Sequence, residues 1–240
     1  MGAEIEDKLF ESAGAQSGAQ FPVEGFGAKR IPIDAMTPFT DVFQSEFTLA
    51  GKVCILAPGP SGAPFYSAIP DDYQVIAIAK SVLAPAVVAD VWLMNHNRQD
   101  WFEEADRTFD GICVFGESAA VPNPLRHPKA ARYFYRTPKE QLSAEQLLPV
   151  DGCIRHGATT SACAVQLAYN FGVRDILLCG VDMSGDGYWD GDSNPQPNHG
   201  NVWPAVARLN PLIHWLTSVK GLRIHSLSPT RLDVPIIQGK

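Results

Sequence analysis

The chain has 240 residues, 45% of them hydrophobic, so a single α/β domain with a sizeable core fits its length. A formal net charge of −7 weighs against a nucleic-acid-coating role, which needs a basic face. No apolar run reaches the ~18 residues of a membrane span, and no basic-then-apolar leader opens the sequence, so a cytoplasmic protein without a membrane span is expected.

Residues 1–50 are rich in Gly, Ala, Ser and Pro, with isolated aromatics at Phe10, Phe21, Phe26, Phe39, Phe43 and Phe47 and no sustained period of 2 or 3.6. They read as an irregular N-terminal extension, and residues 51–240 as the domain. Within the domain, apolar runs predict strands at Val53–Ala57, Val75–Ala79, Val91–Met94, Ile112–Phe115, Ile176–Val181 and Leu222–Leu227. Helices are predicted between them at Ser61–Ile69, Val82–Val88, Arg98–Arg107, Lys139–Leu147, Thr160–Phe171 and Trp203–Val219. Near-continuous apolar strands alternating with helices indicate a mostly parallel sheet of about six strands, covered by helices on both faces. Ligands of such sheets bind at the carboxyl ends of the strands. The five cysteines, Cys54, Cys113, Cys153, Cys163 and Cys179, form no CxxC pair and read as small core residues in a reducing compartment.

The first strand runs through KVCILAPGPSG into a Gly/Pro turn and a Ser-led helix start. Gly59, Ser61 and Gly62 there form either an anion cradle at a helix N-terminus or a plain strand-to-helix turn. Asn95, ending VWLMN, suits a ribose or base contact, or a cap for the helix near Arg98. Thr159, Thr160 and Ser161 open a helix with three hydroxyls in a row, more than a cap requires, and suit a phosphate or sugar hydroxyl. The next strand delivers Asp182 to the sheet edge. The loop behind it carries Asp186, Asp190 and Asp192; it lacks the Glu of a calcium loop, but Asp182 and Asp186 would suit Mg²⁺ beside substrate phosphates. His199, in the polar stretch PQPNHGN, is the candidate general base, with His96 and His156 as competitors. Ser228–Thr230 is a fourth polar strand end.

GPSG, IPDDYQVIAIAKS, DVWLMN, TTSACAVQLAYNFGVRDILLCGVD and LRIHSLSP, taken in that order over Gly51 to Pro229, resemble the landmarks of the bacterial sialyltransferases of glycosyltransferase family 42. The layout is also similar to the motility-accessory-factor and 6-hydroxymethylpterin pyrophosphokinase-like group. The resemblance implies a Rossmann-like domain that binds a nucleotide-sugar donor without a metal and transfers the sugar to the hydroxyl of a glycan or small-molecule acceptor. It implies Gly59 and Ser61 near the donor phosphate, Asn95 near the nucleotide, and Thr159 and Thr160 near the phosphate or carboxylate. His199 would correspond to the base and Tyr188 to a phosphate-contacting tyrosine. Pro58, and Ala79 or Lys80, stand where the family has nucleotide-contacting Asn residues, and Ser161 replaces a Gly, so amides that would select CMP are lost. The rival expectations are a Mg²⁺-dependent diphosphate transfer from ATP to a small hydroxymethyl compound, and a non-catalytic nucleotide- or glycan-binding module.

Overall fold

The structure is a computed structural model describing residues 48–95, 99–116, 132–135, 154, 159–184, 187–191 and 199–237. The expected extension therefore falls outside the described residues except at its end, where Leu49 is buried. So do the expected helix at Lys139–Leu147, and Asp186, Asp192, His96 and His156.

Among the described residues, seven strands form one sheet: β1 (Lys52–Leu56), β2 (Gln74–Ile78), β3 (Val91–Met94), β4 (Ile112–Gly116), β5 (Arg132–Tyr135), β6 (Asp175–Cys179) and β7 (Arg223–Ser226). Their spatial order is β5-β4-β3-β2-β1-β6-β7 and every pairing is parallel. Six are the strands expected from the apolar runs; β5, whose sequence RYFY is too short and too mixed to read as a strand, is the seventh. The helices are α1 (Gln99–Thr108), α2 (Thr160–Asn170) and α3 (His199–Ser218), with 3-10 helices at Pro60–Ala68 and Ala79–Leu83.

Side-chain alternation along the strands divides the core into two layers. Val53, Ile55, Ile76, Ile78, Val91, Leu93, Ile176 and Leu178 point to the face covered by α2 and α3. Trp92, Met94 and Cys113 face α1 and the Ala79–Leu83 turn, while Cys54, Leu56, Leu177 and Cys179 face Tyr66 of the first 3-10 helix. A sheet hidden on both sides explains why its strands read as unbroken apolar runs rather than as alternating ones.

Two expected α-helices are 3-10 turns instead, and proline is the reason. Pro64 lies inside the Pro60–Ala68 helix, and its end, Ile69, is extended (φ −65°, ψ 121°) ahead of Pro70. The expected helix over Val82–Val88 stops at Leu83, because Ala84 before Pro85 takes φ −66° and ψ 123°; a residue preceding proline is pushed out of the helical region.

No helix among the described residues is long and apolar enough to cross a membrane. The chain steps from β1 outward to β5 and then returns past β1 to β6, so the topological switch point lies between β1 and β6, where open α/β sheets place their ligands.

Candidate functional site

Because all seven described strands run the same way, their carboxyl ends share one edge, and those polar residues singled out in the sequence that are described collect there. At the switch point, the ends of β1 and β6 touch. Ala57 N–H donates to the Cys179 carbonyl at 2.8 Å and Gly59 N–H to the Gly180 carbonyl at 3.0 Å. A β-carbon on Gly59 would stand 2.3 Å from the Gly180 oxygen and 2.6 Å from Asp182 Cγ, and one on Gly62 would stand 2.8 Å from Gly180 Cα. The glycines of the first turn are thus required by protein against protein. Gly180, at φ +70°, answers them from the other side.

The anion that this turn was expected to attract is the protein's own. Ser61 N–H donates to Asp182 Oδ2 at 2.9 Å, and Ser61 Oγ–H donates to Asp182 Oδ1. The helix-start donor and the strand-end carboxylate satisfy each other, as an N-terminal amide and an anion do. Ser61 Oγ also lies 3.1 Å from the Pro229 carbonyl, Gly180 N–H donates to buried Ser228 Oγ at 2.9 Å, and Thr230 Oγ1 donates to the Val181 carbonyl at 2.6 Å. Arg231 N–H reaches the Asp182 carbonyl at 3.2 Å. The ends of β1, β6 and β7 are therefore one hydrogen-bonded junction around Asp182, which is 8% exposed. The charges of Asp182 and Asp190, together with Cys179, add to burial in pushing the Tyr66 phenol well above the ordinary tyrosine range.

The other expected residues stand further along the same edge. Asn95, after β3, is buried and its amide donates to Cys163 Sγ in the first turn of α2 at 3.4 Å. Thr159 is the N-cap of α2, and its Oγ1 accepts from Ser161 N–H at 3.2 Å. Thr160 and Ser161 are buried, so of the three hydroxyl residues only half-buried Thr159 reaches the surface. His199, expected in a loop, is the first residue of α3. The cause is legible afterwards: from His199 the apolar positions Val202, Val206, Leu209 and Ile213 keep helical spacing, so the helix starts four residues before the expected Trp203.

Tyr188 belongs to the segment Gly187–Gly191, which lies across the ends of β1 and β2. Trp189 N–H donates to the Pro58 carbonyl at 2.9 Å, Asp190 forms an ion pair with Lys80, and the Tyr188 ring meets Trp101 of α1 edge-on at 5.7 Å. Trp189 and Gly180 were not among the expected site residues; Ser228 was expected only as part of the polar strand end Ser228–Thr230, and Lys80 only as a position where the resembling family has an Asn. The signal for Lys80 was a lysine two residues beyond the apolar strand QVIAI.

Among the described residues no three His, Cys, Asp or Glu side chains come together as a metal ion would need. Both oxygens of Asp182 are held by Ser61, and Asp186 lies outside the described residues, so the Mg²⁺ pair weighed from sequence is not assembled by what is described. A cavity of about 710 Å³ lies at the opposite edge of the sheet, among Leu49, Gln74, Val87, Asp90, Phe109 and Ile112, and none of the site residues described above lines it.

No protein-family model and no curated protein matches the sequence. Among solved structures, a sialyltransferase, CST-II, in complex with a trisaccharide acceptor and CMP aligns at 17% identity and TM-score 0.43, over 78% of this chain and 87% of that one. Sialyltransferase CstII from Campylobacter jejuni, in complex with a substrate analogue, cytidine-5′-monophosphate, aligns at 14% identity and TM-score 0.44, over 78% and 86%. Monomeric CstII aligns at 16% identity and TM-score 0.42, over 77% and 87%. At these values neither the fold nor the activity of this chain is inferred from the likeness.

Proposed function

We propose that the chain is a glycosyltransferase-like enzyme that takes a nucleotide-activated sugar at the carboxyl edge of its sheet and passes the sugar to an acceptor hydroxyl. The observation that carries this reading is the junction at the switch point, where Asp182 holds a carboxylate at the sheet edge between β1 and β6. A carboxylate accepts hydrogen bonds and repels phosphate, and each Asp182 oxygen has one acceptor site beyond the one that Ser61 uses, so it is matched to the hydroxyls of a ribose or hexose. A phosphate of the donor is assigned instead to the start of α2, where Thr159 supplies a hydroxyl beside helix N–H groups and the positive end of the helix dipole. This revises the expectation that Gly59, Ser61 and Gly62 hold the phosphate. Asn95 belongs to this reading as a nearby positioning residue, through Cys163 of the same helix turn. The donor is proposed to bind without a metal.

His199 is proposed as the base that deprotonates the acceptor hydroxyl as it attacks the anomeric carbon and the nucleotide departs, with Tyr188 proposed beside the leaving phosphate. Incubation of the purified chain with a panel of nucleotide sugars and acceptor glycans, with nucleotide release read by chromatography, tests the reading. Release that survives a chelator and falls ~10²–10⁴-fold in His199→Ala is expected. No release from any donor would overturn it, and release abolished by the chelator would turn the assignment towards metal-dependent diphosphate transfer.

A further inference from the structure

Lys80 lies two residues past the end of β2, in the Ala79–Leu83 turn, and only 9% of its side chain is exposed. Its ammonium is paired with Asp190 and lies 5.6 Å from the centre of the Tyr188 ring. Taking an ammonium this far out of water costs several kcal/mol that pairing only partly returns, and an apolar side chain of similar length would fill the space without that cost. A buried cation at a ligand-binding sheet edge is thus poorly accounted for by packing alone.

Its partner is carried on a short span with glycines at both ends in the left-handed region, Gly187 at φ +101° and Gly191 at φ +82°. Asp190 itself is in touch with water, with 25% of its side chain exposed. The neighbouring junction has the same form, a carboxylate from the β6 side resting on a donor of the β1 side. Two anion-seeking groups of the described edge, Ser61 and Lys80, are thus covered by the chain's own acids.

We propose that Lys80 is an anion-binding residue of the site, that it receives a phosphate group of the ligand, and that Asp190 is its resident counter-anion, displaced when the ligand enters. The assignment rests on the glycosyltransferase reading only for the identity of the ligand. An exchange of one anion for another keeps the buried ammonium paired throughout, so neither state carries an uncompensated charge, while Asp190 returns to water on its already exposed side. A phosphate inside a nucleotide sugar matches the carboxylate, with one charge and two free oxygens per phosphorus, whereas a terminal phosphate, as in pyrophosphate or the departing nucleotide, brings about −1.5 to −2 charges and three acceptor oxygens, which favours the exchange. The ligand's apparent affinity is reduced by the work of displacing Asp190, and removing that carboxylate should return it.

Inorganic pyrophosphate, titrated calorimetrically into the full chain, is the probe. Asp190→Asn should bind it about tenfold more tightly than the unmodified chain, and Lys80→Gln, alone or combined with Asp190→Asn, about tenfold more weakly or not at all. Should Asp190→Asn fail to fold, hydrogen exchange on the unmodified chain decides: pyrophosphate should accelerate exchange of the Trp189 amide severalfold, since its bond to Pro58 is lost as Asp190 leaves. Pyrophosphate binding unchanged in Lys80→Gln, or Trp189 exchange unchanged or slowed, would overturn the assignment. If these shifts appear but no nucleotide sugar is turned over, the donor class falls and the Lys80 site stands. If turnover is seen while both variants bind pyrophosphate like the unmodified chain, this assignment alone falls.

Discussion

Gly59 and Gly180 press the backbones of the first turn and the β6 end together so closely that a single methyl group has nowhere to go. At Gly180 the obstacle is double, because a β-carbon would lie 2.3 Å from the Ala57 oxygen and the backbone stands at φ +70°. Gly59→Ala and Gly180→Ala should each cost about 3 kcal/mol or more in chemical denaturation. Gly172→Ala is the control: its φ is +80° but nothing lies within 4 Å of the added carbon, so it should cost only about 1–2 kcal/mol. Equal losses at all three would show that dihedral strain and not contact dominates. The sequence revealed the glycines of this turn without revealing their use. A phosphate cradle and a close backbone crossing ask for the same residue, and only the partner 121 positions away, Asp182 against Ser61, separates the two.

Among the elements, α2 was the most legible and the 3-10 turns the least. Thr159 meets the requirements of an N-cap, with extended φ −153° and ψ 145° and a side chain that accepts from Ser161 N–H. Thr159→Ala should therefore lower stability by about 1 kcal/mol, read from urea midpoints, and Thr159→Ser should restore most of it. If the helix start also holds the donor phosphate, the Ala variant should weaken nucleotide binding beyond what its stability loss explains. Ser61–Ile69 and Val82–Val88 form no α-helix because Pro64, Pro70 and Pro85 act on local geometry through their rings whatever the pattern of burial. β5 shows the converse. Four mixed residues carry little signal of their own, and its place comes from pairing with β4 from Cys113↔Arg132 to Gly116↔Tyr135.

Across the whole molecule, the two-sided core fixes how stability responds to alkali. Burial, and then the charge of Asp182, pushes the Cys179 thiol from 9.0 up to about 12. Burial, and then Asp175, pushes the Tyr73 phenol from 10.0 to about 12, and burial raises the Cys54 thiol too. In each case the folded pKa is the higher one, so the contribution is complete below the unfolded pKa and is lost as pH rises towards the folded value. Between about pH 9 and 12 the unfolded chain has released protons that the native chain keeps, and stability must fall, by up to about 1.4 kcal/mol per pH unit for each such group. Melting temperature measured from pH 7 to 11 should be insensitive to these groups below about pH 8 and decline above it, with a shallower decline in Cys179→Ala. An unchanged slope in that variant would refute the thiol's part. The four described cysteines, Cys54, Cys113, Cys163 and Cys179, are free and buried, as their setting in apolar runs led one to expect, and should resist thiol reagents until the chain unfolds.

Six of the seven described strands, the three α-helices α1, α2 and α3, the parallel two-sided sheet and the edge where polar groups would gather were determined by the sequence alone, because burial on both faces writes continuous apolar runs and parallel strands require crossovers. What fills the first turn was decided by the tertiary structure. Ser61 could have bonded a ligand's phosphate or a carboxylate of the same chain, and the choice depended on β6 arriving beside β1 with Asp182 at its end. The pairing of Lys80 with Asp190 was decided in the same way: two opposite charges 110 positions apart carry no local signal, and they meet only because the segment after β6 folds back over the end of β2.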